Sequence, residues 1–131
     1  MEIFKPVPVP SQEIPAVPHD LSAYKAGQSV FNTHCAGCHG LAGNGSGTVG
    51  HLLAPEPRDF TDAAWMAKQT ENYLFAVITH GKPNTAMPGF KTILSPMERA
   101  LALRYLAYFA DPVLRERVEV GLVAQLSQPA R

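Results

Sequence analysis

The sequence predicts an all-α domain of about four to five short helices, and three observations carry that expectation. Apolar residues recur at helical spacing in several short segments, each opened by a residue suited to capping. No stretch alternates apolar and polar residues as a half-buried strand does. Glycine and proline gather between those segments, six of the ten glycines falling between Gly37 and Gly50. At 131 residues the chain is long enough for one domain with a core of its own and spare length at the ends.

Residues 1–20 form a Pro-rich arm containing Pro6, Pro8, Pro10, Pro15 and Pro18. Such spacing favours an extended, polyproline-like conformation rather than a packed element, lying over the domain or serving as a spacer. From about Ser22 to His34, Ala23, Ala26, Val30 and Phe31 fall on one helical face, with Ser22 or Asp20 as the cap. The glycine-rich stretch that follows reads as a loop wrapping close to something, and Pro55 and Pro57 keep Leu53 to Arg58 extended. Thr61 is placed to cap a short helix carrying Trp65 and Met66. Thr70 opens another through Tyr73, Leu74, Val77 and Ile78, ended by Gly81 with Pro83 just beyond. Lys82 to Leu94 reads as irregular.

Ser95-Pro96-Met97-Glu98 is the clearest helix start in the chain: a Ser cap, Pro at the first helical position and Glu three residues after the cap. This helix carries Leu101, Tyr105, Tyr108 and Phe109 and stops near Asp111-Pro112. Residues 113–131 are a C-terminal extension, expected to be helical from Val113 to Leu126, which leaves 21–112 as the central domain.

Eleven basic and eleven acidic side chains cancel, so no global field draws in nucleic acid or an anionic membrane, and nucleic acid is not expected as a partner. No apolar run approaches the roughly 20 residues that span a bilayer. The opening MEIFKPVPVP lacks the basic and apolar regions of a signal peptide.

Chemistry concentrates at Cys35-Ala36-Gly37-Cys38-His39. Cys-x-x-Cys-His is the attachment signature of haem c. Two thiols three positions apart at the end of a helix can reach two vinyl groups on one edge of the macrocycle, and the next residue sets an imidazole under the iron. A thioredoxin-like pair needs a strand before the motif and a helix continuing after it, and neither is expected here. A zinc finger could use His51, with twelve residues between it and Cys38, but Pro-Glu-Pro at 55–57 leaves the fourth ligand missing. Gly45-Ser-Gly47-Thr-Val-Gly50 matches a nucleotide-binding fingerprint, yet it follows no strand and opens no long helix.

One covalent haem ligated by His39 leaves a sixth iron position. Candidate donors are Met66, Met87, Met97, His34, His51 and His80. His34 adjoins Cys35 on the proximal side, Met97 suits core packing, and His80 closes a helix. Met87, in Thr85-Ala86-Met87-Pro88-Gly89-Phe90, stands in an irregular segment that can pass over the far face of the ring, with Phe90 able to pack on it. Met87 is the expected donor, with His51 and His80 as the alternatives.

Over roughly Tyr24 to Ala110 the sequence resembles the class I, mitochondrial-type, mono-haem c-type cytochromes. The resemblance rests on Gly27 to Phe31 in a first helix, Cys35-x-x-Cys38-His39, Met87-Pro88 forty-eight residues past His39, and Tyr105-Leu106 in a closing helix. It implies the class I fold, with first and last helices crossing so that Gly27 and Phe31 meet the Tyr105 turn. It also implies that a backbone carbonyl within Leu53 to Pro57, with Pro55 the choice, accepts from the proximal imidazole. Arg58 and Trp65 become candidates for contact with the haem propionates.

The expected function is one-electron transfer between a donor and an acceptor protein, with His39 and Met87 as axial ligands, and no enzymatic activity. Both axial positions would be filled, and thioether ligation in an apolar pocket raises the potential. The expected protein is a monomer or weak oligomer, docking through the exposed haem edge, or through the arm or the extension. Lys82 and Lys91 flank the Met87 loop, where plain solubility is the stronger reading and a docking face the other. Two other readings stand beside it: a haem subunit bound to a larger oxidoreductase, and a haem-based sensor of small gases. Haem attachment of this kind implies a bacterial periplasm, with the leader removed from the sequence.

Overall fold

The structure, a computed structural model, describes residues 6–120 except the side chain of His51. Among the described residues all regular structure is helical. Helix α1 spans Leu21–His34, and Asp20 caps it by accepting from the Ala23 N–H at 2.8 Å. Its buried face is Ala23, Tyr24, Gly27 and Phe31. A single helical turn, α2 (Ala36–His39), follows at Cys35, which the sequence pattern did not anticipate as a separate element.

Helix α3 spans Ala63–Ala67 and is capped by Asp62, not by the expected Thr61. Asp62 Oδ1 accepts from the Trp65 N–H at 3.1 Å, while the Thr61 N–H is engaged one turn earlier by Asp59 Oδ1 at 2.9 Å. Helix α4 (Glu71–His80) starts where Thr70 Oγ1 accepts from the Tyr73 N–H and ends at Gly81, whose φ of 79° suits glycine. Helix α5 (Pro96–Ala110) opens with the full capping box, Ser95 and Glu98 each accepting from the other's N–H. Such a cap stabilises a helix by about 0.5–2 kcal/mol. Met97, expected to pack in the core, is instead 45% exposed, because its place in the first turn of α5 faces solvent.

Helices α1 and α5 cross at the centre of the molecule. Phe31, fully buried, has its ring 5.4 Å from that of Tyr105 and 5.1 Å from that of Phe109. Tyr24 packs at 5.3 Å from Tyr105 and 5.0 Å from Tyr108, mostly edge-on, the geometry aromatic quadrupoles favour. Helix α6 (Pro112–Glu119) begins directly after α5, with Asp111 Oδ1 capping Leu114. Val118 is fully buried in the same core, and the Tyr24 hydroxyl donates to Glu119 Oε1 at 3.0 Å. The extension is therefore packed on the domain through Glu119; its expected continuation to Leu126 lies outside the described residues.

From residue 6 onward the arm lies over the domain, one of its two expected dispositions, but it is packed there rather than merely extended. Its Val9 exchanges two hydrogen bonds with Asn72, backbone N–H to carbonyl at 3.1 Å and side-chain amide to carbonyl at 2.7 Å. Ser11–Glu13 form a 3₁₀ turn, and Val17 is 8% exposed within the core. Apolar Val and Ile between the prolines supply the burial that a solvated polyproline segment lacks. No helix among the described residues is long and apolar enough to cross a membrane.

Candidate haem-binding site

The site grows from the end of α1. Cys35 closes that helix, its N–H donating to the Phe31 carbonyl at 2.8 Å, and starts α2, its carbonyl accepting from His39 at 3.0 Å. Both cysteines are half-buried and unbridged. The glycine-rich loop folds back onto this turn: the N–H groups of Gly45, Gly47 and Val49 donate to the carbonyls of His39, Cys38 and Gly37. A side chain at Gly47 would collide with the Ala36 and Gly37 carbonyls, so the loop can embrace the motif only with glycine there.

His39 is held on two sides. Its ring stacks on Phe60 with centroids 4.6 Å apart and planes 28° apart. Its Nδ1 lies 3.3 Å from the Arg58 carbonyl, and with the proton on Nδ1 that carbonyl accepts it, leaving Nε2 bare. The carbonyl was expected from Pro55. It comes from three residues further on, because the Phe60 N–H donates to the Gly43 carbonyl at 2.7 Å and Gly45 lies against the Pro57 carbonyl. Those two contacts set the register of the returning chain and bring Arg58 beside the imidazole. Burial holds the His39 pKa below the ordinary 6.5, and the Arg58 carbonyl opposes the shift. Burial, aided by neighbouring Cys38, pushes the Cys35 thiol up to about 11.

A cavity of about 450 Å³ opens in front of these groups, within the range of about 300–1,000 Å³ usual for ligand clefts. Cys35, Cys38, His39, Pro55, Arg58, Trp65, Met87 and Phe90 all line it. The Arg58 guanidinium lies over the Trp65 ring, 5.1 Å from its centroid. Of the candidate sixth donors with described side chains, Met87 and His34 line the cavity, whereas Met66, Met97 and His80 do not. Met87 is set by a closed loop of bonds: its N–H donates to Thr85 Oγ1, Thr85 Oγ1 donates to the Lys82 carbonyl, and the Lys82 N–H donates to the Met87 carbonyl.

Sequence reasoning missed Phe60 and the wall that α4 contributes through Tyr73, Leu74, Val77 and Ile78. The spacing of Leu74, Val77 and Ile78 marks a helix face, but nothing local says that the face meets a cavity rather than another helix. A thiol pair and an imidazole with one free nitrogen on one segment, a thioether on another and apolar walls between them fit covalently held haem.

The residues 22–106 match the family described as cytochrome c oxidase, cbb3-type, subunit III. Cytochrome c55X of Stutzerimonas stutzeri is 34% identical over 83 residues, covering 61% of this chain. The chain spans 56% of that relative's length. Among solved structures, the KustC0563 c-type cytochrome superposes with a TM-score of 0.57 at 31% identity, over 63% of this chain and 95% of the other. The Kuenenia stuttgartiensis reducing HAO-like protein complex Kustc0457/Kustc0458 gives a TM-score of 0.59 at 21% identity, over 85% of this chain and 50% of the other, a likeness of fold.

Proposed function

This chain belongs to the family of cytochrome c oxidase, cbb3-type, subunit III domains, and from that premise we propose that it carries single electrons between redox proteins on one haem with His39 and Met87 as axial donors. It is a c-type cytochrome, an electron-transfer haem protein, and the fold is the all-helical one of that group. The single observation that carries the finer reading is the convergence of Cys35, Cys38, His39 and Met87 on one cavity.

In this reading Cys35 and Cys38 hold the haem by thioethers, and bound there it supplies an iron that cycles between ferric and ferrous states. His39 presents Nε2, and the Arg58 carbonyl fixes the tautomer and makes the imidazole a stronger donor. Phe60 keeps the ring from turning. Met87 adds a soft sulfur that favours the ferrous state. The apolar walls from α4 keep water out and disfavour the extra charge of the oxidised form. None of these groups changes bonding partners in such a cycle, so the protein rearranges little, as a carrier rather than an enzyme requires. The work belongs outside the cytoplasm, in a bacterial periplasm.

An optical spectrum of the ferric and the dithionite-reduced protein tests this. A sharp reduced alpha band that persists after acid–organic extraction, with the weak far-red band of ferric iron bonded to thioether, supports the reading. Covalent haem without the far-red band removes Met87 from the iron, and absence of a Soret band from a host able to mature haem c ends the proposal.

The family description names an oxidase subunit, which favours a second reading as the haem subunit of a larger oxidoreductase. Gel filtration of the native extract distinguishes the two: a free carrier elutes as a single haem-bearing chain, and a fixed subunit elutes with its assembly.

A further inference from the structure

Arg99 stands near the start of α5 with only 7% of its surface exposed. Its Nη1 donates to Thr79 Oγ1 at 2.8 Å and its Nε to the Ser95 carbonyl at 3.4 Å, and the guanidinium lies over the Phe75 ring, 5.3 Å from the centroid. Among the described residues the ion pairs are Arg104 with Glu71 and Arg115 with Glu119; no carboxylate pairs with Arg99. Burial pulls its pKa down. A buried cation with no counter-ion is costly to a fold, so its presence calls for a physical account.

The place of that charge supplies one. Thr79 follows Ile78, and the segment after Met87 is bonded to both: Phe90 N–H donates to the Ile78 carbonyl at 2.8 Å and Lys91 N–H to the Thr79 carbonyl at 3.0 Å. Ile78 and Phe90 line the haem cavity. Its partner Thr79 therefore stands one residue behind the cavity wall. The guanidinium, held between Thr79, the Ser95 carbonyl and the Phe75 ring, is largely shielded from solvent, where a charge acts over a longer reach than it would at the surface.

We propose that Arg99 sets the reduction potential: its buried, unpaired cation disfavours the added positive charge of the oxidised site and so holds the potential high. This rests on the reading that the cavity carries a redox-active haem. The neutral pair of hydrogen bonds to Thr79 and Ser95 satisfies part of the guanidinium without cancelling its charge, which is what such a role needs.

The test compares midpoint potentials of the holoprotein by spectroelectrochemistry for wild type, Arg99→Met, Arg99→Lys, Thr79→Val and Thr79→Asp, each first checked for the haem bands and the far-red thioether band. Arg99→Met loses the charge and is expected to have a lower potential. Thr79→Asp sets a carboxylate against the guanidinium and is expected to shift the same way, which keeps the test open where Arg99→Met fails to mature. Arg99→Lys and Thr79→Val keep the charge and are expected to stay close to wild type. The Arg99→Met shift is expected to persist at high salt, since buried charge is little screened. Intact haem bands with an unchanged potential in both Arg99→Met and Thr79→Asp overturn the proposal. So does a Thr79→Val shift as large as that of Arg99→Met, which would trace the effect to loosening of the Met87 segment. Loss of haem from the wild type would instead overturn the reading beneath it.

Discussion

Gly27 of α1 and Leu101 of α5 approach until a methyl group on Gly27 would run into the Leu101 carbonyl oxygen and come within 3.1 Å of the Tyr105 Cβ. Since the obstacle is backbone, Gly27→Ala can be relieved only by moving one helix. The haem-loaded variant is expected to lose about 1–3 kcal/mol, the usual cost of overpacking, in urea unfolding followed by circular dichroism. Gly37→Ala is the control: no protein atom lies within 4 Å of a Cβ there, and the change is expected to stay within about 0.5 kcal/mol. Equal losses in both variants would contradict the close crossing.

Met87→Ala removes the only methionine sulfur among those described that lines the cavity. The expected result is retained covalent haem, loss of the far-red ferric band, and a fall in potential that is a sizeable fraction of the roughly 0.8 V over which axial ligands set haem potentials. Retention of the band in Met87→Ala would assign the sixth position to another residue.

Gly45 has φ of 87° and lies against the Pro57 carbonyl, one residue before the carbonyl that faces His39. In Gly45→Ala the loop is strained by about 1–2 kcal/mol, and the Pro57–Arg58 segment must move away. With the bond to Nδ1 weakened the imidazole becomes a poorer donor, the ferric state loses support, and the potential is expected to rise. Unfolding and potentiometry on the same sample check both halves; a destabilised protein with an unmoved potential would detach the Arg58 carbonyl from redox tuning.

Tyr24 has its pKa raised from 10.0 to about 12, first by burial and then by the bond to Glu119. The folded state thus prefers the neutral phenol. That contribution is complete below the unfolded pKa near 10, and is lost as pH rises from about 10 through the folded value near 12. Urea midpoints of wild type are expected to fall across that window, and those of Tyr24→Phe to fall less. At pH 7 Tyr24→Phe leaves Glu119 its bond from Arg115 Nε at 3.0 Å, so its cost there is expected at about 0.5–1.5 kcal/mol, one ordinary hydrogen bond. Parallel pH profiles would remove Tyr24 from this linkage.

What could be read from the chain alone followed the range of the interactions involved. The Ser95–Glu98 box, the Thr70 cap and the Gly81 stop span three or four residues, so their geometry is written in adjacent letters. The Cys35-to-His39 motif is legible for the same reason: attachment and ligation are demands on one turn of chain. Where two caps lay side by side, as at Thr61 and Asp62, local reasoning chose the wrong one, because the Asp59 turn had already engaged Thr61.

Everything decided by distant segments waited for the tertiary structure. Pro55 and Arg58 each carry a carbonyl that could face the imidazole; the bond from the Phe60 N–H to the Gly43 carbonyl across the loop helps determine which one meets His39. Composition made the arm look extended rather than packed, yet Val17 has a core to enter once α5 stands beside it. Phe60 and Arg99 carried no local sign of their roles, since stacking on an imidazole or standing unpaired behind a cavity wall is a property of neighbours. The sequence by itself determined where helices start and which residues can hold a haem, through bonds within a few residues. The tertiary structure decided which carbonyl, ring and charge surround that site, because those are contacts between segments far apart in the chain.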